Sequence, residues 1–87
     1  MLEVLLHNQV TKKLKKLEKT HLKKFAEVID TLEKDPYPWK NFDLKKIKGI
    51  EDTYRIRIGG YRVVYYIEKD KGRIHILKLE TREKIYK

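Results

Sequence analysis

The chain has 87 residues, enough for one domain (1–87) with a modest core. It has no cysteine, which excludes disulfides, thiolate metal sites and a thiol nucleophile, and no apolar run near the roughly 20 residues that cross a bilayer. Twenty-two Lys and Arg against 13 Asp and Glu leave a net charge of +9, a field that favours polyanionic partners: nucleic acid, an acidic protein or a membrane surface.

Leu2 to Leu6 reads as a short strand. It is too short for a signal-peptide core and is followed by no small-residue cleavage site, so a cytoplasmic protein with no membrane partner is expected. Asn8 is placed to cap a first helix whose apolar stripe is Val10, Leu14 and Leu17, with Lys12, Lys13, Lys15 and Lys16 outside. Thr20 is placed to cap a second helix with the stripe Leu22, Phe25, Ile29 and Leu32, flanked by Ala26 and Val28. Pro36 ends it, because the residue before a proline resists helix. The two helices form an αα-hairpin whose stripes need a sheet to cover.

Asp35 to Asp43 is a loop carrying Pro36, Pro38, Tyr37, Trp39 and Phe42. Its aromatics could stack on bases, but pinning the loop to the core is the preferred reading. Leu44 to Lys48 is a short strand ending at Gly49. Tyr54 to Ile58 alternates apolar and basic residues, the mark of a half-buried strand. Gly59-Gly60 is a two-residue hairpin turn, Tyr61 to Glu68 the next strand, and Arg73 to Glu80 the last after a turn at Asp70-Lys71-Gly72. Thr81 to Lys87 is a tail. The expected class is α+β, in the order β-α-α-β-β-β-β, with the helical hairpin on an antiparallel sheet.

The hairpin fixes a register. If Gly59 and Gly60 make the turn, Ile58 pairs with Tyr61, Arg57 with Arg62 and Arg55 with Val64. Side chains alternate, so Tyr54, Ile56, Ile58, Tyr61, Val63 and Tyr65 share the face under the helices, and Arg55, Arg57, Arg62 and Val64 share the other. Like charges directly opposite on a sheet are destabilising. A bound anion would remove that repulsion, and a guanidinium fork suits phosphate oxygens. The competing reading is neutralisation by nearby acids, with Glu51 and Asp52 as the candidates.

In the tail, Arg82 and Tyr86 are four apart, so one helical turn would bring them together. With Leu44-Lys45-Lys46-Ile47-Lys48-Gly49, Tyr54-Arg55-Ile56-Arg57, Gly60-Tyr61-Arg62-Val63-Val64-Tyr65 and Thr81-Arg82-Glu83-Lys84-Ile85-Tyr86 in this order, the chain resembles the RelE toxins of the RelE/ParE superfamily over nearly its whole length. The resemblance implies a small endoribonuclease that enters the ribosomal A site and cuts mRNA. No metal or other cofactor is implied, and a RelB-type antitoxin would be the silencing partner. It implies that Arg55, Arg57 and Arg62 occupy basic active-site positions, that Arg82 is a catalytic arginine and that Tyr86 is the catalytic tyrosine. Lys45, Lys46 and Lys48, and on the first helix Lys12, Lys13 and Lys16, are the expected RNA contacts.

Some members carry lysines where this chain has Arg55 and Arg57. Arginine stays protonated, so those positions can hold phosphate but are poor proton donors or acceptors. The general acid is left open. His7, His21 and His75 lie far apart in sequence without metal spacing. A histidine pair acting as acid and base competes with the resemblance. His75, with the parity of Leu77 and Leu79, is read as a core-edge residue. Two other classes compete: a ParE-like toxin that binds and inhibits a topoisomerase, and a non-catalytic RNA-binding module.

Overall fold

A computed structural model describes residues 1–81. Strand β1 (Glu3–Leu6) leads into helix α1 (Asn8–Leu14) and helix α2 (Lys19–Lys34). Strands β2 (Asp43–Lys46), β3 (Thr53–Ile58), β4 (Tyr61–Glu68) and β5 (Arg73–Thr81) follow, with a 3-10 turn at Lys69–Lys71 before β5. The sheet order is β1-β5-β4-β3-β2. Strands β2 to β5 pair antiparallel, as the sequence led us to expect. β1 joins β5 in parallel, so the complete sheet is mixed.

One face of the sheet is buried under the helices. Val10 of α1 and Phe25, Val28 and Leu32 of α2 meet Ile56, Val63, Tyr65, Ile67, Ile74, Ile76 and Leu79 in a single core. Tyr65 anchors the loop after α2: its buried hydroxyl donates to the Pro36 carbonyl at 2.8 Å. Burial pushes its phenol pKa well above the ordinary tyrosine value, with Tyr54, Asp35 and Tyr37 adding to the shift.

Three local expectations are corrected. The helix caps are His7 and Glu18, in extended conformation and without a side-chain capping bond, rather than Asn8 and Thr20. The stripe of α2 runs through Phe25, Val28 and Leu32, and Leu22 is exposed. At about 100° per residue Leu22 and Ile29 lie to one side of the Phe25–Leu32 line and Val28 to the other, and the sheet covers the Val28 side. In the loop, Pro38 is buried, Phe42 packs on the core and Tyr37 meets Tyr54 edge-on, whereas Trp39 is 68% exposed beneath the Lys40 ammonium.

Candidate functional site

The β3–β4 hairpin has the counted register: Ile58 pairs with Tyr61, Arg57 with Arg62 and Arg55 with Val64. Gly59 supplies the left-handed φ of +54° that the turn requires. Among the described residues no helix covers the face carrying the arginines.

Register across the whole sheet assembles that face into rows. Asp43, Arg57, Arg62 and Glu80 form one row across β2, β3, β4 and β5. Lys45, Arg55, Val64 and Lys78 form the next. Val64 is therefore flanked by Arg55 and Lys78 across the strands, and by Arg62 and Tyr66 two positions away along its own strand. A short aliphatic floor with cations on three sides is a cup for an anion. Arg55 Nε is buried there without a hydrogen-bond partner among the described residues, a donor with free capacity.

Lys78 was not among the expected contacts, and it joins this row through a bulge. Register slips between Val64 and Tyr65: Val64 pairs with Lys78 but Tyr65 pairs with Ile76, leaving Leu77 as the extra residue. The bulged Leu77 carbonyl accepts from Gln9 Nε2. Parity switches there, so Ile74, Ile76 and Leu79 all reach the core. His75, opposite Tyr66, lies on the arginine side rather than at the core edge. A signal was present in Ile74-His75-Ile76-Leu77-Lys78-Leu79, whose apolar positions change from even to odd at one step.

The arginine pair is half neutralised. Arg57 Nη2 lies 2.8 Å from Asp43 Oδ2, at the edge of the row. Neither Glu51 nor Asp52 fills that role. Both precede β3 at the end remote from Arg57, and Asp52 instead pairs with Lys69 at 3.1 Å, raising the lysine pKa through their hydrogen bond. Arg62 has Glu80 opposite in register and no ion pair among the described residues.

Of the other expected contacts, Lys45 shares the row of Arg55. Lys46 pairs with Tyr54, which gives it the opposite parity, and Lys48 lies in the turn after β2. Lys12 and Lys13 belong to α1 and Lys16 to the link after it, in the helical layer across the sheet from the arginines. Arg82 and Tyr86 lie outside the described residues.

Residues 4–86 match the family model described as the ParE toxin of type II toxin–antitoxin systems. Toxin RelE1 of Methanocaldococcus jannaschii is 45% identical over 82 residues, covering 94% of this chain and 91% of that protein. The toxin in the archaeal RelE–RelB complex of Pyrococcus horikoshii superposes with a TM-score of 0.85 at 42% identity, over 93% of this chain and 94% of that one. The RelB–RelE complex of Methanococcus jannaschii gives 0.78 at 28% identity, over 94% of both chains. The rows of register-matched cations thus sit on a RelE fold, and the chain belongs to the RelE/ParE family of toxins from type II toxin–antitoxin systems.

Proposed function

We propose that this toxin is a ribosome-dependent mRNA endonuclease that cleaves by attack of a 2′-hydroxyl on the adjacent phosphorus, without metal. The observation that carries the reading is the Val64 cup, ringed by Arg55, Arg62 and Lys78 on the uncovered sheet face. The reaction places extra negative charge on the phosphoryl oxygens. Fixed guanidinium donors stabilise that charge without reorganising at the moment of reaction. Arg62 and Arg55 hold the scissile phosphate, Arg57 approaches once Asp43 releases it, and Lys45 and Lys78 extend the track along the strand of RNA. From the tail, Arg82 adds a further cation. Tyr86 takes the 2′-hydroxyl proton or stacks on a base; cations nearby favour its phenolate.

A RelB-type antitoxin is the proposed partner. The solved relatives from Pyrococcus and Methanococcus are complexes of RelE with RelB, and the +9 charge suits an acidic wrapping chain. Ribosomes programmed with a defined message provide the test. Antitoxin-free protein should cut it within the A-site codon, and Arg62→Ala, Arg82→Ala and Tyr86→Phe should each lose about a hundredfold or more. An uncut message with the wild-type protein would refute the reading. The ParE description of the matched family favours one second reading, topoisomerase inhibition by binding; persistent DNA breaks in expressing cells, with intact mRNA, would support it instead.

A further inference from the structure

The arginine face carries a third row beyond the cup. Thr53 pairs with Tyr66, Tyr66 with His75 and His75 with Leu5, across β3, β4, β5 and β1. A fourth row of Glu68, Arg73 and Glu3 lies beyond it. Side chains two positions apart on a strand share a face, so Tyr66 stands beside Val64, with about 7 Å between their Cα atoms. Along β4 the face therefore changes from guanidinium groups around Val64 to aromatic rings, and then to carboxylates on either side of Arg73.

Tyr66 and His75 make one aromatic patch. Their ring centroids are 5.9 Å apart and the planes are tilted by 33°. His75 is held at both ring nitrogens: Nε2 lies 3.0 Å from Glu68 Oε1, and Nδ1 lies 3.4 Å from His7 Nε2. Tyr66 differs from the two tyrosines of opposite parity on its strand. The Tyr61 hydroxyl lies 2.7 Å from His21 Nδ1 and the Tyr65 hydroxyl donates to the Pro36 carbonyl, so both tie the sheet to α2 or the loop after it. The Tyr66 hydroxyl has no hydrogen-bond partner among the described residues, and its ring is half-buried on the side that no described helix covers. What this residue offers is its ring.

A nucleotide matches this order of groups. Its phosphate takes the guanidinium donors, and its base, one ribose away, needs a flat surface rather than a charge. The fourth row sets two carboxylates against one guanidinium, so it repels phosphate. The phosphates therefore stay over the first two rows, and a base turns toward the third. We infer that Tyr66, supported by His75, is the stacking platform for one of the two RNA bases that flank the cleaved bond. The inference rests on the endonuclease reading, which places the scissile phosphate over Val64. A base stacked on Tyr66 fixes the rotation of its nucleotide, and with it the alignment of the 2′-hydroxyl, the phosphorus and the leaving 5′-oxygen. Every base has a π-face, so this contact positions the message without choosing a codon. Glu68 acts only through His75, whose ring it holds.

Single-turnover cleavage of ribosome-bound messages, with toxin in excess but below saturation, tests this. One message is intact. Two others lack a single base, on the 5′ or the 3′ side of the cleaved bond, but keep the ribose and its 2′-hydroxyl. At one of these positions, wild type should lose about tenfold or more in rate, the scale of base–aromatic stacking. Tyr66→Ala should lose as much on the intact message and nothing further when that base is absent, because a shared contact is removed only once. Tyr66→Leu, which keeps apolar cover on the sheet, should behave as Tyr66→Ala does, and Tyr66→Phe as wild type does. Tyr66→Ala and Tyr66→Leu rates equal to wild type on the intact message would overturn the inference and leave the endonuclease reading standing. So would losses from these variants and from base removal that multiply at both positions, the pattern of a merely structural role. Wild-type protein that leaves the intact message uncut overturns the two readings together.

Discussion

Asp43 occupies one of the two opposed arginines, so removing its charge should tighten RNA binding rather than weaken the protein. The Arg57–Asp43 pair is 2.8 Å long, but the two side chains are 55% and 40% exposed. An exposed pair of this kind contributes about 0.2–1 kcal/mol, so Asp43→Asn should lower the melting temperature by only a few degrees. Its effect on RNA has two parts. A carboxylate about 6 Å from a bound phosphate repels it by about 0.7 kcal/mol in water, equivalent to about threefold in affinity. The released Arg57 then makes a phosphate contact of its own, bringing the total to roughly tenfold at low salt. One more neutralised phosphate steepens the dependence of log affinity on log salt by about 0.7 for a single strand. Fluorescence anisotropy with a short 2′-O-methyl RNA, titrated from about 50 to 200 mM salt, measures both quantities. In an Arg57→Ala background the slope change should vanish, leaving the Coulomb part alone. An unchanged slope in Asp43→Asn, or weaker binding, would refute the idea that Asp43 competes with RNA for Arg57.

Three further outcomes follow from the same geometry. Gly59→Ala should destabilise by about 1 kcal/mol or more, because φ is +54° there, while Gly60→Ala should be milder; urea unfolding of the two variants separates them. Tyr65→Phe should cost about 1–2 kcal/mol by leaving the half-buried Pro36 carbonyl without its donor. Because the folded Tyr65 pKa is raised, wild-type stability should fall as pH climbs above the ordinary phenol value of about 10, and this component should be missing in the variant. The hydrogen bond from His75, chiefly, holds the Glu68 carboxyl below the ordinary range, with Lys71 and Arg73 helping. A lowered folded pKa stabilises above the unfolded value and is lost as pH falls through the folded one. Acid unfolding of Glu68→Gln should therefore be flatter across the acidic carboxylate range.

Much of the site was legible because the Gly59-Gly60 turn fixes a register and every residue of β3 and β4 then follows by alternation. Arg57 opposite Arg62 needed no tertiary knowledge. Asp43 was harder to find, because its place opposite Arg57 depends on how far the turn at residues 47–52 carries the chain before β3 begins. Lys78 was hidden by the bulge at Leu77, which turns a residue of core parity toward the arginines. The approach of His7 to His75, whose other ring nitrogen meets Glu68, was beyond local reading altogether. It depends on β1 pairing in parallel with the last strand, and nothing near Leu2–Leu6 specifies that partner. Helix starts were misplaced by a residue or two, since neither cap uses its side chain, and α1 ends at Leu14, three residues before Leu17.

The position of β5 has a consequence for synthesis. It is the last strand among the described residues, yet it sits inside the sheet, between β4 and β1. Until residues 73–81 have left the ribosomal exit tunnel, β1 has no strand partner, Arg62 has no Glu80 opposite, and the cup lacks its Lys78 wall. A growing chain is therefore unable to present the finished site while most of its own message is being read. The topology delays assembly of the arginine face until residues 73–81 are free to pair, after every other described strand of the sheet has been made.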